Sequence, residues 1–513
     1  MSRRRSLAAL AAVLALSAML MSPAFDAPAP PLDEGELVAF PARVLDGAVP
    51  QRDFYDPYGP GSVWAIAGAD ELFGESLATE RFVGMTYRLC IVAAAFALAL
   101  NWGLGAALVG ATAVTATVVG SVGAPASIGF WALALLGYAA LARVLVASAR
   151  GSPTGSRVLV PAAGLLLGLS ALMRVDFLPA AAIAVVPLAA ILPARERQRL
   201  LVGVAVGLAP LLIHVVLAGP HSVWRSLKIG FGAREHPARP PFVSDLAEAV
   251  ALYALATFLA LAAGILRERR ARRDPEARVL LGAGLWGIAM VPFALGKLDE
   301  GHVIVSAIAV LAVLPAAALL LIRSDPLQRP TSPAARRFAL GAVLTVLFFA
   351  CAEAIRFPLY HQADQLLTGS RTSSFKVTND GRSFRLADPT QAQQAQAILT
   401  DIDHLARPGD SVFVGPQDLR TAGSNGVFLY FLLPKLKPAS YFMVVDRHTI
   451  NRASNGFANE LPHANFLILE ANAPPTSATE LGPPTANEIV ANSFCLRGES
   501  GTYRLYEHCN PAA

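Results

Sequence analysis

Charge is what this chain has least of. Only 15% of its 513 residues are Asp, Glu, Lys or Arg, against about 25% in a soluble globular domain. Hydrophobic residues make up 54% and the mean hydropathy is +0.49, the composition of a polytopic membrane protein. The net charge of +5 is no nucleic-acid signal, because the basic residues cluster in short loops between apolar runs, where they set membrane topology. Cysteine is scarce too, with four in the chain. Cys90 and Cys351 lie in apolar runs and read as small core residues. There is no P-loop, no dinucleotide glycine pattern and no Cys/His metal box. No internal repeat is visible, which removes support for a transporter built from repeated halves.

Long apolar runs are what the chain has instead. The first follows Arg3–Arg5 and extends from about Leu7 to Met21. It reads as a retained first helix rather than a cleaved signal, since no clean small-residue cleavage site follows. Ten more runs of span length fall at roughly 84–101, 104–121, 127–147, 157–173, 177–193, 200–218, 246–265, 278–296, 303–322 and 337–354. Every second junction is basic. Arg143, Arg150 and Arg157 share one; Arg195, Arg197 and Arg199 another; Arg267, Arg269, Arg270, Arg272 and Arg273 a third; Arg323, Arg329, Arg336 and Arg337 a fourth. By the positive-inside rule these face the cytoplasm, as does the N-terminus. The small residues Gly103-Leu104-Gly105 read as a helix-packing surface.

The opposite side collects the acids, a histidine and aromatics. Its first loop, 23–83, contains Pro31 to Gly61, with Asp33, Glu34, Glu36, Asp46, Asp53 and Asp56. Acids this close to a bilayer are costly unless they face water or a site. The same side receives Arg174 and Asp176, a loop from Gly219 to Asp245, and the group Lys297, Asp299, Glu300 and His302. His221, Arg225, Arg234 and His236 in the longer loop read as solvated residues of a lid. The tail, 356–513, is polar. Gln391 to Leu405 predicts an amphipathic helix, and Gly426 to Leu433 a helix or strand. Ser411 to Val414, Ser440 to Val445 and Asn465 to Leu469 predict strands. Cys495 and Cys509 flank a terminal hairpin, and outside the cytoplasm they are expected to form a disulfide. The expected architecture is an all-α membrane module of about eleven spans, 1–355, with a small extracytoplasmic α/β domain, 356–513.

The first loop resembles that of the integral-membrane glycosyltransferases of the GT-C fold, in particular the branch with the protein O-mannosyltransferases and the lipid A aminoarabinose transferase. The likeness rests on Asp33-Glu34 after a first helix, then Glu36 to Leu45 as an amphipathic helix ending in Gly47-Ala48-Val49-Pro50. The block Asp53-Phe54-Tyr55-Asp56-Pro57-Tyr58-Gly59-Pro60-Gly61 follows, then Phe73-Gly74 and Arg81. Later, Leu172-Met173-Arg174-Val175-Asp176 and Lys297-Leu298-Asp299-Glu300-Gly301-His302 resemble the Arg-bearing and basic-His blocks. The Tyr-Asp-Pro-Tyr-Gly-Pro block departs from the His-x-x-Pro-Pro of the protein O-mannosyltransferases.

The resemblance implies transfer of a sugar from a polyprenyl-phosphate donor to an extracytoplasmic acceptor, a cell-envelope glycan, a lipid or a protein, at a bacterial plasma membrane. Asp33 is then the base that deprotonates the acceptor hydroxyl, although an acid at a helix start also serves as a cap. Glu34 supports it or is solvated. Asp53 and Asp56 are second candidates, or turn residues. Arg174, Lys297 and His302 meet the leaving phosphate, or Arg174 pairs with Asp176 and Lys297 with Asp299 or Glu300 as interfacial anchors. Tyr58, Arg81, Asp176 and Asp299 complete the expected substrate site. The hard-oxygen acids leave room for a divalent cation, with no spacing that demands one. The rival readings are a flippase of lipid-linked glycan and a non-catalytic envelope-binding protein.

Overall fold

The structure, a computed structural model, describes residues 3–119, 125–152, 155–232, 244–296, 300–322, 353–421, 426–444, 456–471 and 481–509. The chain divides into two compact units. The first takes in Met1–Pro23, Gly84–Ile213 and Pro237–Ser370, and the second Ala24–Val83, His214–His236 and Arg371–Ala513.

Helices dominate the first unit, because a chain in hydrocarbon has to satisfy its own backbone. Among the described residues seven helices are long and apolar enough to cross a membrane: Arg3–Phe25, Leu77–Trp102, Ala126–Ala149, Ser156–Met173, Ala194–Ala218, Leu246–Arg270 and Pro275–Leu295. Three shorter apolar helices are Leu104–Val119, Val175–Ala189 and Ile308–Leu321. Ten of the eleven expected runs coincide with these helices. The eleventh, 337–354, lies outside the described residues apart from its last two. An aromatic cluster fills the centre of this unit. Trp131 and Trp286 stack with centroids 5.0 Å apart, and the Tyr138 hydroxyl donates to the Val279 carbonyl at 2.6 Å.

Glycines set one helix crossing, though not those expected. Gly164 and Gly168 on Ser156–Met173 meet Gly203 and Gly207 on Ala194–Ala218. A Cβ at any of the four would come within 2.2–2.5 Å of a carbonyl oxygen on the other helix, so only Gly allows this approach. Gly103 is instead a turn residue at φ +109, and Gly105 faces open space.

The second unit is α/β. A hairpin of β1 (Phe375–Asn379) and β2 (Arg382–Leu386) reverses at Asp380 and Gly381, both at positive φ. Asp-Gly suits that turn, because both positions take the left-handed conformation. Strands β3 (Ser411–Pro416), β4 (Lys437–Pro438), β5 (Phe466–Glu470), β6 (Phe494–Ser500) and β7 (Tyr503–His508) form a sheet in the order β4-β3-β5-β7-β6. β3 runs parallel to β4 and β5, and β7 runs antiparallel to β5 and β6. A disulfide joins Cys495 to Cys509 across the β6–β7 hairpin.

Helix Pro389–Leu405 starts where Asp388 accepts a hydrogen bond from the Thr390 amide, 2.8 Å, with Pro at the first position. Its apolar stripe, Ala392, Ala395, Ile398, Leu399 and Ile402, joins a core with Val377, Phe384, Phe428 and Phe466. Val38, Phe40 and Ala42 of helix Asp33–Leu45 enter the same core. That helix crosses the short helix Phe428–Leu432 so closely at Gly35 that a Cβ there would lie 2.7 Å from the Phe428 nitrogen. The strand expected at Ser440–Val445 does not form over its described part, 440–444. The Glu460 carboxylate takes the Tyr441 amide at 2.9 Å and the Ser440 hydroxyl at 2.5 Å. A side chain has there captured the backbone donor that a ladder needs.

Candidate functional site

Asp33 and Glu34 open the same helix and meet different fates. The helix begins at Asp33, with Leu32 at the cap position and no side-chain capping bond. Asp33 is exposed, and among the described residues its carboxylate makes no hydrogen bond or ion pair. Glu34 is wholly buried, as is Arg81, whose Nη2 and Nε donate to Glu34 Oε2 at 2.6 and 3.2 Å. Arg81 Nη1 donates to the carbonyls of Ala24, Phe25 and Ala27 at 2.7, 3.2 and 2.8 Å. The guanidinium thereby ties the chain entering this helix to the start of helix Leu77–Ala99.

A second group forms around the turn 50–58. Asp53 accepts the Val49 amide at 2.7 Å and both Arg52 donors at 2.7 and 2.9 Å. The Arg52 hydrogen bond holds its carboxyl below the usual range. Asp56 is 3% exposed. Its Oδ1 accepts from the Tyr58 amide at 3.0 Å, and its Oδ2 is buried without a hydrogen-bond partner among the described residues. Burial pushes this carboxyl up to about 7, against the opposing backbone donors of Tyr58 and Gly59. Desolvation disfavours the charged form, so Asp56 can hold or release a proton near neutral pH. Tyr58 itself is 42% exposed.

Four residues that the sequence reading passed over complete this group. Gln51, buried and at φ +64, donates from Nε2 to the Asp56 carbonyl at 3.1 Å and meets His214 Nε2 through Oε1 at 3.0 Å. The Tyr441 hydroxyl donates to the Gln51 carbonyl at 3.1 Å and lies 3.0 Å from Ser226 Oγ. Ser226 Oγ also accepts the Asp56 amide at 3.4 Å. The Arg225 guanidinium lies over the Tyr441 ring, 4.9 Å from its centroid. A signal existed for one of the four. His214 stands inside the apolar run Leu211-Leu212-Ile213-His214-Val215-Val216, where an ionisable residue is a functional hypothesis by default.

The expected cationic residues lie in the first unit. Arg174 Nε donates to both oxygens of Asp176 at 2.9 and 3.2 Å. Its guanidinium lies 4.6 Å from the Phe293 centroid and 5.5 Å from that of Phe130. The His302 ring sits against the same Phe293, centroids 5.3 Å apart. Arg174, Asp176 and His302 are therefore brought together around one aromatic ring. Lys297 and Asp299 lie outside the described residues. Among the described residues no group of three or more His, Cys, Asp or Glu could hold a metal ion.

This arrangement, a bundle of apolar helices with an acidic helix and an α/β tail, is that of a polytopic membrane protein with the GT-C fold. The chain aligns with the crystal structure of ArnT from Cupriavidus metallidurans bound to undecaprenyl phosphate over 98% of both chains, with a TM-score of 0.51 and 13% identity. It aligns with the apo state of the same protein over 98% of this chain and 97% of that one, with a TM-score of 0.53 and 14% identity. What is shared at this identity is the fold. No family profile and no curated protein matches the chain.

Proposed function

We propose that this protein is a membrane glycosyltransferase that moves a sugar from a polyprenyl-phosphate donor to a hydroxyl-bearing acceptor on the extracytoplasmic side of a bacterial plasma membrane. The observation that carries the reading is the likeness over 98% of both chains to ArnT, whose structure is bound to undecaprenyl phosphate. The basic loops support an N-terminus in the cytoplasm and a tail outside. The acceptor belongs to the cell envelope, as a glycan, a lipid or a protein.

Asp33 is the base in this reading. It is an exposed carboxylate with no competing partner among the described residues, on a helix anchored by the buried Glu34–Arg81 pair. It takes the acceptor's proton as the acceptor oxygen bonds to the anomeric carbon and the bond from that carbon to the donor phosphate breaks. Arg174 and His302, with Lys297, balance the charge on the departing phosphate. Asp176 and Phe293 hold Arg174 in place for that task. Glu34 and Arg81 act by positioning Asp33. Asp56, which can release its proton near neutral pH, is the second candidate for the base, and Asp53 and Tyr58 line the same turn.

Transfer in membranes expressing wild type or Asp33→Asn at matched levels, with radiolabelled polyprenyl-phosphate sugars as donors, tests the reading. General acid–base catalysis contributes about 10²–10⁴-fold, so the variant should lose that much. Equal transfer by both proteins removes Asp33 as the base and moves that role to Asp56. No transfer by wild type from any donor ends the transferase reading.

A further inference from the structure

Gln51 and His214 make a pair whose chemistry is decided by what surrounds it. The Asp56 carbonyl can only accept, so the Gln51 amide nitrogen must face it, 3.1 Å away. The amide oxygen of Gln51 then faces His214 Nε2 at 3.0 Å, and an amide oxygen only accepts. Nε2 must therefore carry the proton. In the neutral ring this leaves the lone pair on Nδ1. That atom is buried and has no hydrogen-bond partner among the described residues, in a residue with no exposed surface. Trp64 closes one side, edge-on at 5.3 Å between centroids. Gln51 keeps this orientation at φ +64, a conformation uncommon outside Gly, Asn and Asp, and such strain concentrates at functional sites.

A buried acceptor that the protein leaves unmet is matched by a donor from elsewhere. A phosphate oxygen is the wrong partner for a lone pair. A hydroxyl is the right one. We infer that Gln51 pins His214 as the Nε2–H tautomer, so that Nδ1 accepts a hydrogen bond from a sugar hydroxyl of the lipid-linked donor and acts in substrate specificity. The inference rests on the transferase reading for the identity of the sugar.

The test uses the full chain in lipid bilayers with ¹⁵N-labelled histidine and solid-state NMR. The resonances missing from His214→Asn identify His214. Wild type should show a single tautomer with Nδ1 unprotonated, and Gln51→Gly a mixture of both. Gly tolerates positive φ, so this variant keeps the turn while removing the amide. Adding a polyprenyl-phosphate hexose or pentose should move the Nδ1 signal, whereas undecaprenyl phosphate without a sugar should not. An unchanged tautomer in Gln51→Gly overturns the pinning. An Nδ1 signal unmoved by every sugar, as a bound water would leave it, or moved equally by the bare lipid phosphate, overturns the hydroxyl contact. A sugar-dependent shift without transfer from any donor upholds the inference while ending the transferase reading.

Kinetics add a readout that a purely structural histidine would not give. Asn places a carbonyl near the position of Nδ1 and should keep most of the activity. His214→Phe, which keeps the ring and loses the acceptor, should lose about tenfold in kcat/KM, the worth of one hydrogen bond. Equal losses in both variants would overturn the specificity role.

Discussion

The acidic stretch of the second unit buries two carboxylates in opposite circumstances. Glu34 faces the Arg81 guanidinium, and three carbonyls satisfy the rest of that cation. Among the described residues Asp56 has only backbone donors, and one of its oxygens has no hydrogen-bond partner. Depth is therefore not what separates them. A balancing cation makes the first a fixed strut, whereas its lack leaves the second poised near neutral pH. In the proposed reading this contrast gives Glu34 and Arg81 a positioning role and leaves the chemistry to Asp33, exposed one residue earlier.

The contrast is broken most severely by Arg81→Leu. This variant removes the cation and leaves Glu34 buried and unbalanced. Truncating one partner of a buried pair costs about 3–5 kcal/mol, so thermal unfolding in detergent should show a large loss of stability. The double variant Arg81→Leu/Glu34→Leu should recover much of it, since an apolar pair leaves no charge stranded. If the single variant unfolds like wild type, the strut assignment is wrong.

How much of this was legible beforehand follows from the range of each interaction. The apolar runs, the alternating arginine loops and helix Pro389–Leu405 announce themselves within a few residues, because hydrophobic pattern and charge are local signals. The β1–β2 hairpin was equally legible through Asp380-Gly381 and went unread. Gly164, Gly168, Gly203 and Gly207 could not be separated from other small residues, since the close approach needs two helices in contact. Ser440–Val445 looked like a strand because the capture of the Tyr441 amide by Glu460 does not show in β propensity. The pairings at the candidate site are the least visible. Glu34 finds Arg81 across 47 residues and His214 finds Gln51 across 163, and no local pattern encodes a partner at such distance.

A smaller effect sharpens the other side of the contrast. Burial raises Asp56 to about 7, above an unfolded value near 3.9. The folded state thus favours the protonated form. Its contribution to stability is complete below the unfolded value and is lost as pH rises through 7. At about 1.4 kcal/mol per unit, wild type should lose on the order of 2 kcal/mol more than Asp56→Asn between pH 5 and pH 8. Parallel stability curves for the two proteins would show that Asp56 is not buried as an acid.

Arg174 and Asp176 are the intermediate case, and the smallest effect belongs there. The pair resembles Glu34–Arg81 in its ions, yet its side chains keep 12% and 9% of their surface and one face of the guanidinium rests on Phe293. A planar cation is required for that stacking, whereas a point charge suffices for simple neutralisation. Arg174→Lys should therefore cost only about 0.5–1 kcal/mol of stability through the lost cation–π contact. If Arg174 meets the donor phosphate, the same change should raise KM for the lipid donor several-fold with kcat nearly kept, because Lys holds the charge but not the fork. A Lys variant with unaltered KM and lowered stability would make this pair a strut like Glu34–Arg81, and phosphate binding would then fall to Lys297 and His302.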